Sequence, residues 1–159
     1  MESVSSMSTW TLYTDGASRH NPGKAGAGII ILKNNQPFLG KGFFLGIKTN
    51  NQAEYLALLL GIFYVRSALH HDERARLTCF SDSQLLVRQV LGHYRVKNKE
   101  LIPLHALACS WLMSFDWKIE HIYREENKRA DAYANKGLES QKVLPSLFQL
   151  ELKRQGIVL

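Results

Sequence analysis

The sequence predicts an α/β domain built around a mixed β-sheet, and three observations point to it. Strand-forming runs open the chain in hairpin order, a long helical pattern separates them from later strands, and two strands end on an acid. Tight turns join antiparallel strands, whereas a helical crossover is what a parallel pair needs. At 159 residues the chain is long enough for one continuous core, and no repeat or linker divides it.

Trp10-Thr11-Leu12-Tyr13-Thr14-Asp15-Gly16 reads as a central strand stopping at its acid, since Asp and Gly disfavour continuing a pleated strand. An Asx-type turn is the alternative for a lone Asp-Gly, so Asp15 gains meaning only if other acids arrive beside it. The small residues Gly16, Ala17 and Ser18 let backbone N–H groups approach a ligand, or simply make a tight turn. Gly26-Ala27-Gly28 lacks the third glycine of a dinucleotide loop and runs into Ile29-Ile30-Ile31, so it reads as strand. Residues 25–32 and 38–47 then form a hairpin over the turn at 33–37, giving three antiparallel strands.

Thr49 and Asn50 suit the N-cap of a helix whose apolar positions Leu56, Leu59, Leu60 and Phe63 recur at helical spacing and pack on the sheet. Glu54 is expected in its first turn, beside the buried stripe, where it reaches inward or serves the helix dipole. Residues 76–81 form a strand parallel to the first that also ends on an acid, Asp82. Ser83 and Gln84 open the next helix, over 85–91; Ser-Asp-Ser is equally a capping sequence. The loop at 92–99 carries Tyr94, Arg95, Lys97 and Lys99, a set that can hold a nucleic-acid backbone or be merely solvated. A helix over 100–114, with Pro103 near its start, and a strand over 114–122 follow. The last helix brings Asp131 inward, on the stripe of Ala134 and Leu138, with Ala130, Ala134 and Gly137 small enough for close approach to the sheet. Val143, Leu144, Leu147, Phe148 and Leu152 make a final apolar stripe, expected to dock on the domain, with a dimer or partner surface as the alternative. The expected division is a tail at 1–8, a domain at 9–138 and an extension at 139–159.

The formal charge of +6 favours a polyanionic partner. No apolar run approaches a membrane span, and residues 1–8 lack the pattern of a signal peptide, so a cytosolic protein is expected. Cys79 and Cys109 have no metal-ligand spacing and are expected to be reduced core residues.

Each of the four acids has a bland explanation alone. Clustered, Asp15, Glu54, Asp82 and Asp131 would repel strongly unless cations neutralised them. Hard oxygen ligands without His or Cys select Mg²⁺ or Mn²⁺ over zinc. Two such ions roughly 3.5–4 Å apart are the arrangement for phosphodiester hydrolysis.

Thr14-Asp15-Gly16, Thr49-Asn50-Asn51-Gln52-Ala53-Glu54, Ser81-Asp82-Ser83-Gln84 and Asn127-Lys128-Arg129-Ala130-Asp131 resemble, in order, the four signature blocks of type 1 ribonuclease H, in its compact archaeal and bacterial branch. The resemblance covers about residues 9–138. It implies a five-stranded mixed sheet flanked by helices on both faces, and Mg²⁺-dependent cleavage of the RNA strand of RNA–DNA hybrids, leaving 5′-phosphate and 3′-hydroxyl ends. It implies that Asp15, Glu54, Asp82 and Asp131 bind metal. The backbone of Gly16, Ala17 and Ser18, with Asn50, Asn51 and Gln84, would read the minor groove, where amides can contact the RNA 2′-hydroxyl. Thr49 matches a contact to a DNA phosphate, although Ile47 stands where some relatives have an accompanying arginine. His121 has the spacing of a catalytic histidine but lacks its glycine-rich loop, and Arg124 is the alternative for the same task. Arg95, Lys97 and Lys99 stand in for the basic protrusion of other relatives. A monomer is expected. The competing readings are a non-catalytic hybrid-binding module of the same fold and a piece of a reverse transcriptase polyprotein, the latter disfavoured by the Met1 start.

Overall fold

The computed structural model describes residues 7–159. Most of the expected tail lies outside the described residues, and Ser8 already belongs to the first strand. Five strands form one sheet: β1 (Ser8–Ser18), β2 (Gly23–Lys33), β3 (Gln36–Lys48), β4 (Ala75–Ser81) and β5 (Asp116–His121), in the order β3-β2-β1-β4-β5. β1–β2 and β2–β3 pair antiparallel, while β1–β4 and β4–β5 pair parallel. Asn34 and Asn35 close the β2–β3 hairpin at φ 50° and 64°, the positive pair that a two-residue turn matched to strand twist requires.

Against expectation, β1 does not stop at Asp15. It continues to Ser18, paired with β2 as far as Ala25, whereas its parallel pairing with β4 ends at Thr14 opposite Ser81. The sheet therefore splits between β1 and β4 at the point where Asp15 and Asp82 follow.

Helix α1 (Asn50–Ala68) starts on a capping box, with the Gln52 N–H donating to Thr49 Oγ1 at 3.1 Å and the Thr49 N–H donating to Gln52 Oε1 at 2.8 Å. Its burial departs from the expected stripe: every residue from Ala53 to Ile62 is buried, while Phe63 is only partly so. The reason is tertiary, because α1 lies between β1 and β2 on one side and α3 (Ile102–Leu112) on the other. Helix α2 (Gln84–Val90) follows β4, and α4 (Lys128–Ser140) covers β1, β2 and β3.

α4 sits on the sheet in backbone contact. A Cβ on Gly28 or Gly26 would collide with the carbonyl oxygen of Ala130 or Ala134, and one on Gly42 with that of Tyr133. These glycines, together with Gly137 on the helix, form the groove in which α4 rests. Gly28 lies directly across from Asp15, so the Asp15 side chain points to the α4 face. Gly16 points to the other face, against the backbone of Ala53 and Glu54.

Beyond the family blocks, α5 (Ser146–Arg154) buries Phe148 and Leu152, with the Phe148 ring centred 5.5 Å from that of Phe63. Leu144 and Ile157 join the core, but Val143 and Leu147 are exposed at 76% and 68%, so of the expected stripe only Leu144, Phe148 and Leu152 face the domain. Cys79 is in the core, whereas Cys109 is half-buried, its Sγ 3.5 Å from His105 Nε2.

Candidate active site

Three different local devices carry the acids to the split in the sheet. Asp15 is on the strand that continues past the split, and Asp82 follows the last residue of the strand that ends there. Glu54 is the fifth residue of α1, beyond its first turn, which corrects the expected dipole position. It is instead held by the backbone N–H of Gly16, which donates to Glu54 Oε1. Asp131 arrives from the opposite face in the first turn of α4. Oxygens of Asp15, Glu54 and Asp82 lie within 4.8 Å of one another, and Asp131 lines the same cleft.

Asp15 and Glu54 are buried, at 6% and 7% exposure. Burial, then the charges of Glu54, Asp82 and Asp131, holds the Asp15 carboxyl well above the usual carboxylate range. Burial also raises Glu54, partly opposed by the hydrogen bond from Gly16. Among the described residues no lysine or arginine forms an ion pair with any of the four acids. Such a donor set, all oxygen and crowded with like charge, fits a hard divalent cation.

The cleft measures about 470 Å³ and is lined, besides the acids, by Gly16, Ala17, Ser18, Asn50, Asn51, Ser83 and Arg124. Several expected binding groups are otherwise engaged. The Gly16 amide is committed to Glu54, and the Ser18 hydroxyl donates to the Lys48 carbonyl at 3.0 Å. Thr49 caps α1. Gln84 lies outside the cleft, with the end of its amide beside the Arg88 guanidinium at 3.1 Å, where its oxygen is the atom able to accept. Of the two candidates for the auxiliary role, Arg124 lines the cleft, whereas His121 places Nε2 3.3 Å from the Asp82 backbone carbonyl and faces a neighbouring depression with Gln84 and Arg88. Tyr94, Arg95 and Lys97 also stay outside the cleft; Arg88 stacks over the Tyr94 ring at 5.3 Å.

Sequence reasoning gave Ser83 only a helix-opening role and Asn127 only a place in the fourth block, and passed over Asn135. Ser83 caps α2 through Leu86 N at 3.2 Å while lining the cleft. Asn127 is 2% exposed and donates from Nδ2 to the Thr14 carbonyl at 2.8 Å and to Asp82 Oδ2 at 3.3 Å. Asn135 donates to Asp131 Oδ1 at 3.3 Å. For Asn135, four residues beyond Asp131 on the same helix, that spacing was the available signal, whereas the side-chain partners of Asn127 are distant in sequence and left none.

A sheet of this order, split at its third and fourth strands with four acids around the split, defines the ribonuclease H-like class. The sequence profile of the family described as "Reverse transcriptase-like" matches residues 13–137. A ribonuclease HI of Halobacterium salinarum is 36% identical over 129 residues, covering 80% of this chain and 63% of its own length. A ribonuclease H of Syntrophus aciditrophicus is 31% identical over 137 residues, covering 76% of this chain and 75% of its own. Among solved structures, RNase H1 from Halobacterium salinarum superposes with a TM-score of 0.77 at 34% identity, over 83% of this chain and 98% of that one. LC11-RNase H1 in complex with RNA/DNA hybrid superposes at 0.73 and 32% identity, over 82% and 97%. The chain belongs to the type 1 ribonuclease H family.

Proposed function

We propose that this protein is an endoribonuclease that hydrolyses the RNA strand of RNA–DNA hybrids, leaving 5′-phosphate and 3′-hydroxyl ends. The observation that carries the reading is the convergence of Asp15, Glu54 and Asp82 within 4.8 Å at the floor of an open cleft, with Asp131 and Arg124 on its walls. It is supported by the family and by the hybrid bound to the similar LC11 enzyme.

Asp15, Glu54, Asp82 and Asp131 would hold Mg²⁺, with Mn²⁺ as a substitute. Divalent ions held there would supply an activated water at neutral pH and charge stabilisation for the leaving oxygen. The chain's own residues do the rest. Gly16 fixes Glu54 from the strand side, beside Asp15. Arg124 offers a permanent cation to the scissile phosphate or the departing product. Asn50 and Asn51, at the start of α1, present amides at the cleft edge that can donate to and accept from a 2′-hydroxyl, which DNA lacks. Ala17 and Ser18 offer backbone beside them. Gln84, Tyr94, Arg95 and Lys97, outside the cleft, would contact the hybrid further along its length.

No helix among the described residues is long and apolar enough to cross a membrane. The proposal is completed by a cytoplasmic location and a monomeric state. The test is a panel of labelled hybrid, double-stranded RNA and single-stranded RNA, incubated with Mg²⁺, Mn²⁺ or EDTA. Cleavage of the hybrid's RNA strand alone, abolished by EDTA, is expected. Hybrid binding without cleavage in either metal would overturn the enzymatic reading in favour of a binding module.

A further inference from the structure

Two of the four acids are clamped by burial, and two are not. Asp15 and Glu54 sit in the protein interior, whereas Asp82 and Asp131 are half-exposed. Each of these two receives one side-chain amide N–H, from a residue to which neither the family blocks nor the cleft lining assigns a task.

We infer that Asn127 is a positioning residue for the catalytic acids, tying three of the elements that carry them, with Asn135 as its counterpart on Asp131. The inference rests on the metal-dependent reading above. Asn127 Nδ2 reaches the carbonyl of Thr14, at the last rung of the β1–β4 pairing, and the carboxylate of Asp82 just beyond that rung. The backbone carbonyl of Asn127 accepts from the Asp131 N–H at 3.1 Å. One residue thus bridges the neighbour of Asp15, the side chain of Asp82 and the backbone of Asp131.

The amide is kept for its donor. Asn127 Oδ1 is buried and accepts no hydrogen bond from the described residues, an arrangement that normally costs stability. Flipping the amide would not repair this, because it would set the oxygen against a carbonyl and a carboxylate. The retained orientation is therefore the one that directs both N–H bonds toward the split in the sheet. By holding one Asp82 oxygen, Asn127 limits the carboxylate's rotation and leaves the other oxygen for a cation. Asn135 acts likewise one helical turn beyond Asp131, donating to its Oδ1 and to its backbone carbonyl at 3.0 Å. Partners that orient ligands in this way commonly govern metal affinity or activity by roughly 10- to 100-fold.

The test compares Asn127→Leu, which keeps nearly the same volume and removes the donor without adding charge, Asn127→Ala and Asn135→Ala with wild type. Ala134→Gly serves as a control, weakening the same helix without touching an acid. Mg²⁺ binding is measured calorimetrically on the protein without nucleic acid, kcat and KM on a labelled hybrid at saturating Mg²⁺, and melting temperature in EDTA. Both Asn127 variants are expected to lose roughly 10-fold or more in Mg²⁺ affinity and in kcat, with hybrid KM changed by less than about threefold. Asn135→Ala is expected to move the same two quantities in the same direction. Ala134→Gly should lower the melting temperature and leave both near wild type. Asn127 variants that lose melting temperature but keep wild-type Mg²⁺ affinity and kcat would overturn the positioning role. Wild type that neither binds Mg²⁺ nor cleaves the hybrid would instead overturn the parent reading.

Discussion

Replacing Asp15 by asparagine should abolish turnover and, in the absence of metal, stabilise the fold. In the folded protein, burial and three neighbouring carboxylates hold the Asp15 carboxyl well above its usual range, whereas in the unfolded chain it is ionised at pH 7. Each tenfold change in proton affinity is worth about 1.4 kcal/mol, so the interval from an ordinary carboxylate near 3.9 to pH 7 caps the penalty at about 4 kcal/mol. Water entering the open cleft screens part of this, leaving about 2 kcal/mol. The introduced amide is neutral and can donate to Glu54 and Asp131, so nothing is left unpaired. For a domain of this size the expected gain in melting temperature in EDTA at pH 7 is roughly 4–8 °C. The sign changes with conditions. Below about pH 4 the wild-type carboxyl is protonated in both states and the advantage of Asp15→Asn disappears. Added Mg²⁺ should raise the melting temperature of wild type and much less that of the variant. Calorimetry across these conditions, beside a hybrid cleavage assay, checks each arm. A variant less stable than wild type in EDTA at pH 7, or one that keeps cleaving, would refute the electrostatic reasoning.

Asp15 and Glu54 are both raised, so their joint contribution to the stability of metal-free wild type is full below about pH 4 and falls as pH rises from there through their elevated values. Denaturant midpoints in EDTA from pH 4 to 9 should therefore decline, and the stabilisation by Mg²⁺ should grow over the same range. Arg124→Ala should lower kcat by on the order of 10²-fold, while His121→Ala stays within about threefold, because only Arg124 lines the cleft; equal losses would contradict the placement. Gly28→Ala should cost about 1–3 kcal/mol in urea unfolding and displace Asp131, since a Cβ there meets the Ala130 carbonyl; an unchanged midpoint would show that α4 can shift freely. Phe148→Ala should cost about 3–5 kcal/mol while light scattering shows a monomer before and after; dissociation of a dimer would reassign α5 to an interface.

The sequence alone determined which residues are candidates for the chemistry. Asp15 and Asp82 stand where β-forming runs give way to turn residues, and that is a local property. Glu54 and Asp131 lie at recognisable points of helical patterns, so four acids in four separate segments could be named before any contact was known. The start of α1 was legible for the same reason, because Thr49 and its capping partner Gln52 lie within four residues of sequence. Tertiary structure decided how those residues meet. Asp15 lies inside β1 rather than at its end, because β2 continues to pair with it after β4 has left, and pairing partners are not encoded in the strand's own composition. α1 is buried all round because α3 covers its outer side, which no periodicity within α1 can report. The glycines of β2 and β3, unremarkable in order along the chain, become a groove only when α4 lies across them. Arg124 and His121, three residues apart and alike in charge potential, were separated only by the direction in which the chain leaves β5. Asn127 gained its task only when the last rung between β1 and β4 left the Thr14 carbonyl and the Asp82 carboxylate within reach of one amide.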